Sequence, residues 1–204
     1  MFHVKHEGWG PAASALGVTL TAEATARLDR YEALLLQLGA PMGVMAPGDL
    51  PRVRERHLLD CMRAAPLIGE GRTAYDLGSG GGLPGVVIAI VCPDLEIALV
   101  DVRRNRAAFL EMVVKELDLA HVSVYPRRAE TLRARVEVCL ARAFKPADAS
   151  WAAAEALLVP GGRLIYWAGE TFDPKTDVPE GVAVELFRTP ALARSGALAI
   201  MSRQ

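Results

Sequence analysis

The chain predicts an α/β fold, a doubly wound and mostly parallel sheet finished by a C-terminal antiparallel strand, with a helical cap ahead of it. Three observations carry that expectation. From Thr73 onward, short apolar runs of strand length alternate with longer helical stretches, the pattern of parallel strands joined by crossover helices. A glycine-rich turn, Asp76-Leu77-Gly78-Ser79-Gly80-Gly81-Gly82-Leu83-Pro84-Gly85, links the first of these strands to an apolar helix. Before residue 70 the apolar spacing is helical only.

Taken in order, Thr21-Ala22-Glu23 opens a helix through Leu38, with Thr21 as its cap and Leu28, Tyr31, Leu34, Leu35 and Leu38 on one face. Gly39-Ala40-Pro41-Met42-Gly43 ends it. A second helix is expected from about Leu50 to Ala65, turning Val53, His57, Leu58, Cys61 and Met62 toward the core. These helices make residues 1–70 an N-terminal cap on a core of residues 71–204, one compact unit. Strands are expected at Thr73 to Leu77, Glu96 to Val100, Val122 to Tyr125, Val136 to Ala141 and Arg163 to Trp167. After a Gly-, Pro- and Asp-rich stretch, Val182 to Phe187 and Ala197 to Met201 read as a closing antiparallel hairpin at the sheet edge.

With 204 residues, 51% of them apolar, the chain can bury one full core but not two. Cys61, Cys92 and Cys139 lie too far apart for metal-ligand pairs and sit in apolar surroundings, so buried thiols, a reducing compartment and no metal are expected. Met1 to Glu7 lacks an apolar signal core, and no apolar run approaches the roughly 18 residues of a membrane span. A soluble, cytoplasmic, monomeric protein without a membrane partner is the expectation. The net charge of -1 gives no sign of a nucleic-acid partner. Local clusters at Arg52, Arg54 and Arg56, at Arg103, Arg104 and Arg106, at Arg127 and Arg128, and at Arg133 and Arg135 read either as phosphate contacts or as solvated surface.

The glycine turn predicts a cofactor loop. Gly78, Gly80 and Gly82 let the backbone turn sharply and approach a ligand closely, and Pro84 suits the first turn of the next helix. A dinucleotide fingerprint would need glycine where Leu83 stands, and a Walker loop would need Lys and Ser or Thr after Gly85, where Val86 and Val87 stand. What remains, an acidic residue followed by alternate glycines, is the pattern of enzymes that use S-adenosylmethionine, a cofactor without phosphate.

Ligands in such sheets sit beyond the carboxyl ends of the strands. The second strand ends at Asp101, a ribose acceptor or else a cap for the following helix. Behind the third lie Ala129 and Glu130, where a carboxylate can meet an adenine edge or compensate the next helix dipole. After the fourth comes Arg142-Ala143-Phe144-Lys145-Pro146, with neither the Asn/Asp-Pro-Pro-aromatic clamp of amine methylation nor a cysteine set for carbon methylation. Arg142 can pair with a cofactor carboxylate, a phosphate or a purine edge, and Phe144 can stack on a base; the plain alternative is a surface arginine and a core ring. In Arg56-His57-Leu58-Leu59-Asp60, His57 reads as a buried imidazole pinned by Asp60 or as a ligand contact.

Arg56-His57-Leu58-Leu59-Asp60, the glycine turn with its Leu83-Pro84-Gly85 ending, Leu99-Val100-Asp101 with Arg106, and Arg142-Ala143-Phe144 together resemble the small-subunit ribosomal RNA guanine-N7 methyltransferases, the glucose-inhibited division protein B family. The resemblance spans about residues 20 to 200, and Phe2-His3-Val4-Lys5-His6 is similar to the start of some members. It implies a class I, Rossmann-like S-adenosylmethionine-dependent fold. Further implications are cofactor contacts at Gly78, Leu83, Ala129, Glu130 and Arg142, joining Asp76, Gly80, Gly82 and Asp101 expected from the loop and the second strand end, and methylation of guanine 527 in the 530 loop of 16S ribosomal RNA, free or in the small-subunit particle. Since guanine N7 carries a bare lone pair, no general base is expected; Arg142 would position the reactants, with His57 as a second candidate. Two places depart from the family. Leu38-Gly39 and Gly43-Val44-Met45 replace Trp-Asn and Asn-Leu-Thr, and Ala168-Gly169 replaces Lys-Gly. These changes leave open a second reading, a cofactor-binding ribosome-assembly or RNA-binding factor with weakened catalysis.

Overall fold

A computed structural model describes residues 8–192 and 195–204; the Phe2 to His6 opening lies outside them. Ahead of the sheet come α1 (Trp9–Ala15), α2 (Ala22–Leu38), a 3-10 turn at Pro47–Arg52, a π-turn at Arg54–Leu58, α3 (Leu59–Met62) and α4 (Ala65–Ile68). In α2 the Thr21 hydroxyl accepts the Ala24 N–H at 3.0 Å, and Leu28, Tyr31, Leu34 and Leu35 are buried while Leu38 is half-buried. Sequence reasoning missed α1, whose seven residues bury only Trp9 and Ala13, too few to establish a period. The expected helix from about Leu50 to Ala65 is broken into four pieces. Pro51 cannot donate within a regular helix, and the chain tightens to 3-10 and then widens to a π-turn. Val53, His57, Leu58, Cys61 and Met62 nevertheless all point inward.

Arg54 clamps these pieces. Its guanidinium pairs with Glu32 and Asp29 and lies 4.1 Å from the Trp9 ring centroid, while the Trp9 indole N–H donates to Asp29 at 2.7 Å.

From Thr73 the chain alternates β1 (Thr73–Leu77), α5 (Gly85–Val91), β2 (Glu96–Val100), α6 (Arg104–Glu116), β3 (Val122–Tyr125), a 3-10 turn at Ala129–Thr131, β4 (Val136–Ala141), α7 (Ala147–Glu155), β5 (Leu158–Trp167), α8 (Pro174–Asp177), β6 (Val182–Phe187) and β7 (Leu198–Arg203). The sheet order is β3-β2-β1-β4-β5-β7-β6, and β7 alone runs against its neighbours β5 and β6. β5 starts five residues earlier than expected. It runs through Pro160-Gly161-Gly162, and a register shift between Val136 and Val138 of β4 absorbs the irregularity.

The inner strands are buried on both faces with the two-residue period of a strand. Ala74, Ile97, Leu99, Val138 and Leu140 share one apolar layer with α1, α2, α5 and α6; Tyr75, Leu77, Ala98, Val100, Cys139 and Ala141 share the other with Trp151 and Ala154 of α7. Residues 9–68 therefore pack into the same layer as α5 and α6, on the face of the sheet opposite α7. Cys61 and Cys139 are fully buried, and burial pushes both thiols up; Cys92, partly buried, is pushed up to about 11. Among the described residues no helix is long and apolar enough to cross a membrane.

Strand order reverses at β1, which pairs with β2 on one side and β4 on the other, so a crevice opens at their carboxyl ends. α2 reaches that crevice from above: the buried Tyr31 hydroxyl donates to the Gly81 carbonyl at 2.6 Å. Tyr31→Phe leaves that carbonyl without its partner and is expected to lower stability by about 1–3 kcal/mol in urea denaturation. An unchanged midpoint and slope would mean that α2 does not hold the turn.

Candidate functional site

The glycine turn is stitched to β2. Gly78 N–H and Ser79 N–H both donate to Val100 O, at 2.8 and 3.0 Å, and the Ser79 hydroxyl donates to Asp76 O while accepting from Val100 N–H. Gly78 has φ +73° and Gly82 φ +90°, where a side chain would be strained. A Cβ on Gly78 would also come within 2.5 Å of Phe144, and one on Gly82 within 2.5 Å of Val86 and 2.9 Å of the Tyr31 hydroxyl. Leu83 takes the place of a fingerprint's third glycine, but Gly85 does that packing work. A Cβ there would run into Leu99 of β2 and stand 2.6 Å from the Asp76 carboxylate. Pro84 sits one position before the helix, as the residue flanking α5.

Asp76 is fully buried beneath this turn. Its Oδ2 accepts the Gly85 N–H at 3.0 Å at the start of α5, while Oδ1 has no partner among the described residues. Burial pushes the carboxyl up from 3.8 to about 7, against the opposing effect of the nearby Ser79 hydroxyl and the Gly85 N–H. A carboxyl oxygen thus occupies the helix N-terminus where a nucleotide-binding fold would hold phosphate. This is a physical reason, independent of motif spacing, for a ligand without phosphate.

Beside the turn lies a cleft of about 190 Å³. Gly78 lines it, as do Asp101, Val102, Arg103 and Arg106 after β2, Arg127 and Ala129 after β3, and Ala143 and Phe144 after β4. Asp101 is buried; its Oδ2 accepts the Gly80 N–H at 3.0 Å, its Oδ1 accepts the Arg103 N–H at 2.9 Å, and Arg106 stands 3.4 Å away. The carboxylate therefore joins the glycine turn to the entry of α6 and faces the cleft as well. Val102, which sequence reasoning missed, is 57% exposed, an apolar side chain offered to the cleft next to Asp101. Its signal was position alone. Ala143, with φ +53°, holds a left-handed conformation at the cleft wall.

Of the expected cofactor residues, Gly78, Asp101 and Ala129 line this cleft. Gly80 adjoins it through its bond to Asp101, whereas Gly82 and Leu83 are buried in the turn and Asp76 lies below it. Glu130 is exposed and pairs with Lys145 at 2.8 Å, which holds its carboxyl below the usual range. Arg142 turns away from the cleft. Its Nε donates to Asp60 at 3.3 Å and its Nη2 to His57 Nδ1 at 2.8 Å.

The expected pinning of His57 by Asp60 gives way to an arginine between them. Asp60 spends its other oxygen on Arg63 at 2.9 Å, and its carbonyl accepts the Trp167 indole N–H at 3.1 Å. Burial and the adjacent Arg142 hold the His57 imidazole below its ordinary value, consistent with an unprotonated Nδ1; Nε2 has no hydrogen-bond partner among the described residues and lies 3.7 Å from Asp49. The replaced residues at 43–45 also touch the site: Val44 packs over Gly81, and Met45 is buried. Among the described residues, no group of three or more His, Cys, Asp or Glu is arranged to hold a metal.

The family model described as rRNA small subunit methyltransferase G, GidB, matches residues 24–178. The protein named ribosomal RNA small subunit methyltransferase G from Thermobifida fusca (strain YX) is 42% identical over 143 residues, which cover 69% of this chain and 60% of that one. Its namesake from Streptomyces coelicolor is 41% identical over 147 residues, 70% and 61% of the two chains. The chain thus matches about 60% of the length of these relatives. Among solved structures, the O-methyltransferase TomG from Streptomyces achromogenes superposes with a TM-score of 0.59 at 15% identity over 100% of both chains. TrmN from Thermus thermophilus does so with a TM-score of 0.57 at 18% identity, over 76% of this chain and 52% of its own. These likenesses show the class I methyltransferase fold.

Asp76 gives the site a pH signature. An acid whose folded pKa is raised binds its proton more tightly in the native state, so its contribution to stability falls as pH rises from 3.8 to about 7 and is level above that. Asp76→Asn keeps an oxygen for Gly85 N–H without a titrating charge. Chemical denaturation across that range is expected to show the variant gaining on the wild type as pH rises; parallel curves would show that Asp76 does not titrate there.

Proposed function

The chain belongs to the GidB family, rRNA small subunit methyltransferase G, and from that premise we propose that it binds S-adenosylmethionine in the first cleft and methylates N7 of a guanine in 16S ribosomal RNA. The observation that carries the cofactor assignment is the pairing of a glycine cradle with two carboxyls in different roles. Asp76 fills the helix N-terminus and so disfavours phosphate, while Asp101, at the next strand end, offers oxygens to a ribose diol. Val102 supplies an apolar surface for a base, and Gly78 and Ala129 leave room for close approach.

S-adenosylmethionine, when bound, supplies a methyl group on a sulfonium centre. Guanine N7 has an unprotonated lone pair, so the protein need not remove a proton. The residues agree with that economy: the His57 Nδ1 is engaged by Arg142, and the Cys61 and Cys139 thiols are buried and pushed up. Catalysis then rests on orientation, which is worth up to about 7–11 kcal/mol in well-aligned systems. Arg142 acts as a positioning residue, held at the end of β4 by His57 and Asp60. Gly80, Gly82, Leu83 and Glu130 contribute through the shape of the turn and the rim. The substrate, in this reading, is 16S ribosomal RNA alone or within the small-subunit particle.

Small subunits from cells lacking the gene, incubated with the protein and labelled cofactor, are expected to gain one methyl at a single guanine N7, located by mass spectrometry of nuclease digests. A methyl on another atom, or none, overturns the reading. Asp101→Asn is expected to weaken S-adenosylmethionine binding about ten-fold or more by calorimetry while the circular dichroism spectrum stays that of the wild type. Unchanged affinity would remove Asp101 from the site.

A further inference from the structure

A second and larger cleft, of about 480 Å³, opens at the same edge of the sheet. β4 and β5 run in parallel with Ala141 opposite Tyr166, so the segments leaving them emerge side by side, about 4.8 Å apart. β6 ends and β7 begins at this edge too, since Leu198 pairs with both Trp167 and Phe187. Ala168, Glu170 and Phe172 line the cleft from the β5 side, and Leu186 and Arg188 from the β6 side. A chain of contacts links the walls of the two clefts. The Phe172 ring lies 6.0 Å from the Tyr166 ring, and the Tyr166 hydroxyl donates to Lys145 O, next in the chain to the Phe144 that lines the first cleft.

Glu170 and Arg188 are both exposed, and among the described residues neither forms an ion pair, with the other or with any third group. An unpaired carboxylate, an unpaired guanidinium and an aromatic ring around one slot form a complementary set for guanine. Its N1–H and exocyclic amine are adjacent donors for a carboxylate, its O6 accepts from a guanidinium, and its face stacks on an aromatic ring. Adenine would set an acceptor against Glu170 and a donor against Arg188. Uracil offers the carboxylate one donor where guanine offers two. N7 lies on the purine away from those two donors, so a guanine gripped at Glu170 keeps its N7 lone pair free for the methyl group.

We propose that this cleft receives the acceptor guanine, unstacked from the RNA, with Glu170 and Arg188 reading its Watson–Crick edge and Phe172 against its face. The inference rests on the methyl-transfer reading and adds the residues that choose the base. Drawing the base out of its stack costs a few kcal/mol, which a slot of matched donors and acceptors offsets. Ala168, buried at the inner wall with its N–H on Ala197 O, keeps that wall uncharged and close to the backbone.

The test uses the full chain with small subunits reconstituted from RNA carrying either guanine or inosine at the target; inosine lacks only the exocyclic amine. The wild type is expected to favour guanine in kcat/KM by about ten-fold. Glu170→Ala is expected to lower kcat/KM on guanine by a similar factor and to abolish the preference, with S-adenosylmethionine affinity unchanged. A variant that keeps both the wild-type rate and the preference overturns the proposal. Should the wild type methylate neither RNA, the methyl-transfer reading fails by itself, and the cleft is then judged by titrating guanosine and adenosine monophosphates. Tighter binding of the guanosine nucleotide that Glu170→Ala removes upholds the slot; equal binding overturns it.

Discussion

A turn of seven residues between β1 and α5, three of its glycines in left-handed conformations, cannot hold its own shape: each such glycine has many conformations open to it in the unfolded chain and no side chain with which to anchor itself. The anchoring comes from outside the turn, and first from Asp76. Its buried carboxyl grips the first N–H of α5 from below and so fixes the distance between strand end and helix start. Tyr31 holds the Gly81 carbonyl from α2, and Asp101 holds the Gly80 N–H from the residue just after β2. Three side chains from three elements thus turn a permissive segment into a rigid cradle, and the first cleft exists because all three agree. The burial that lifts the Asp76 carboxyl is the cost of placing the anchor where water cannot compete for the same N–H.

A second hub has a different job. Asp60 sits at the start of the short helix after the π-turn and binds Arg63, Arg142 and, through its carbonyl, Trp167. It therefore connects the N-terminal segment to the ends of both β4 and β5, the two strands whose following loops wall the two clefts. A regular helix from 50 to 65 would lack the wide turn that carries His57 toward Arg142. The irregularity of this segment and the orientation of Arg142 are one structural fact seen from two sides.

Much of this was legible in the sequence, for reasons that can be named. β1, β2, β3 and β4 begin and end where their apolar runs do; for β1, β2 and β4 this follows from burial of inner parallel strands on both faces, which tolerates few polar residues. The glycine turn announced itself through backbone requirements that few other residues can meet. The direction of Arg142 was not legible, since an arginine at a strand end can reach several partners and only the folded chain shows that His57 and Asp60, more than 80 positions earlier, take it. β5 was read short because Pro160-Gly161-Gly162 signals a break, and only the neighbouring strand's register shift lets the ladder continue. The second cleft was invisible, for its walls come from the segment after β5, the end of β6 and the approach to β7, and no local pattern joins Glu170 to Arg188.

The placement of β7 sets the order in which the chain can be completed as it is made. β6 touches the rest of the sheet only through β7, and β7 comprises residues 198–203. While synthesis proceeds, β1 to β5 can pair as each appears, but β6 waits outside with its edge unsatisfied until a strand made after it slides in between. A nascent chain paused short of residue 198 would carry an intact glycine cradle and a ragged flank at Trp167, the strand end from which the second cleft departs. The last pairing to form on synthesis is therefore the one that finishes the wall of that cleft.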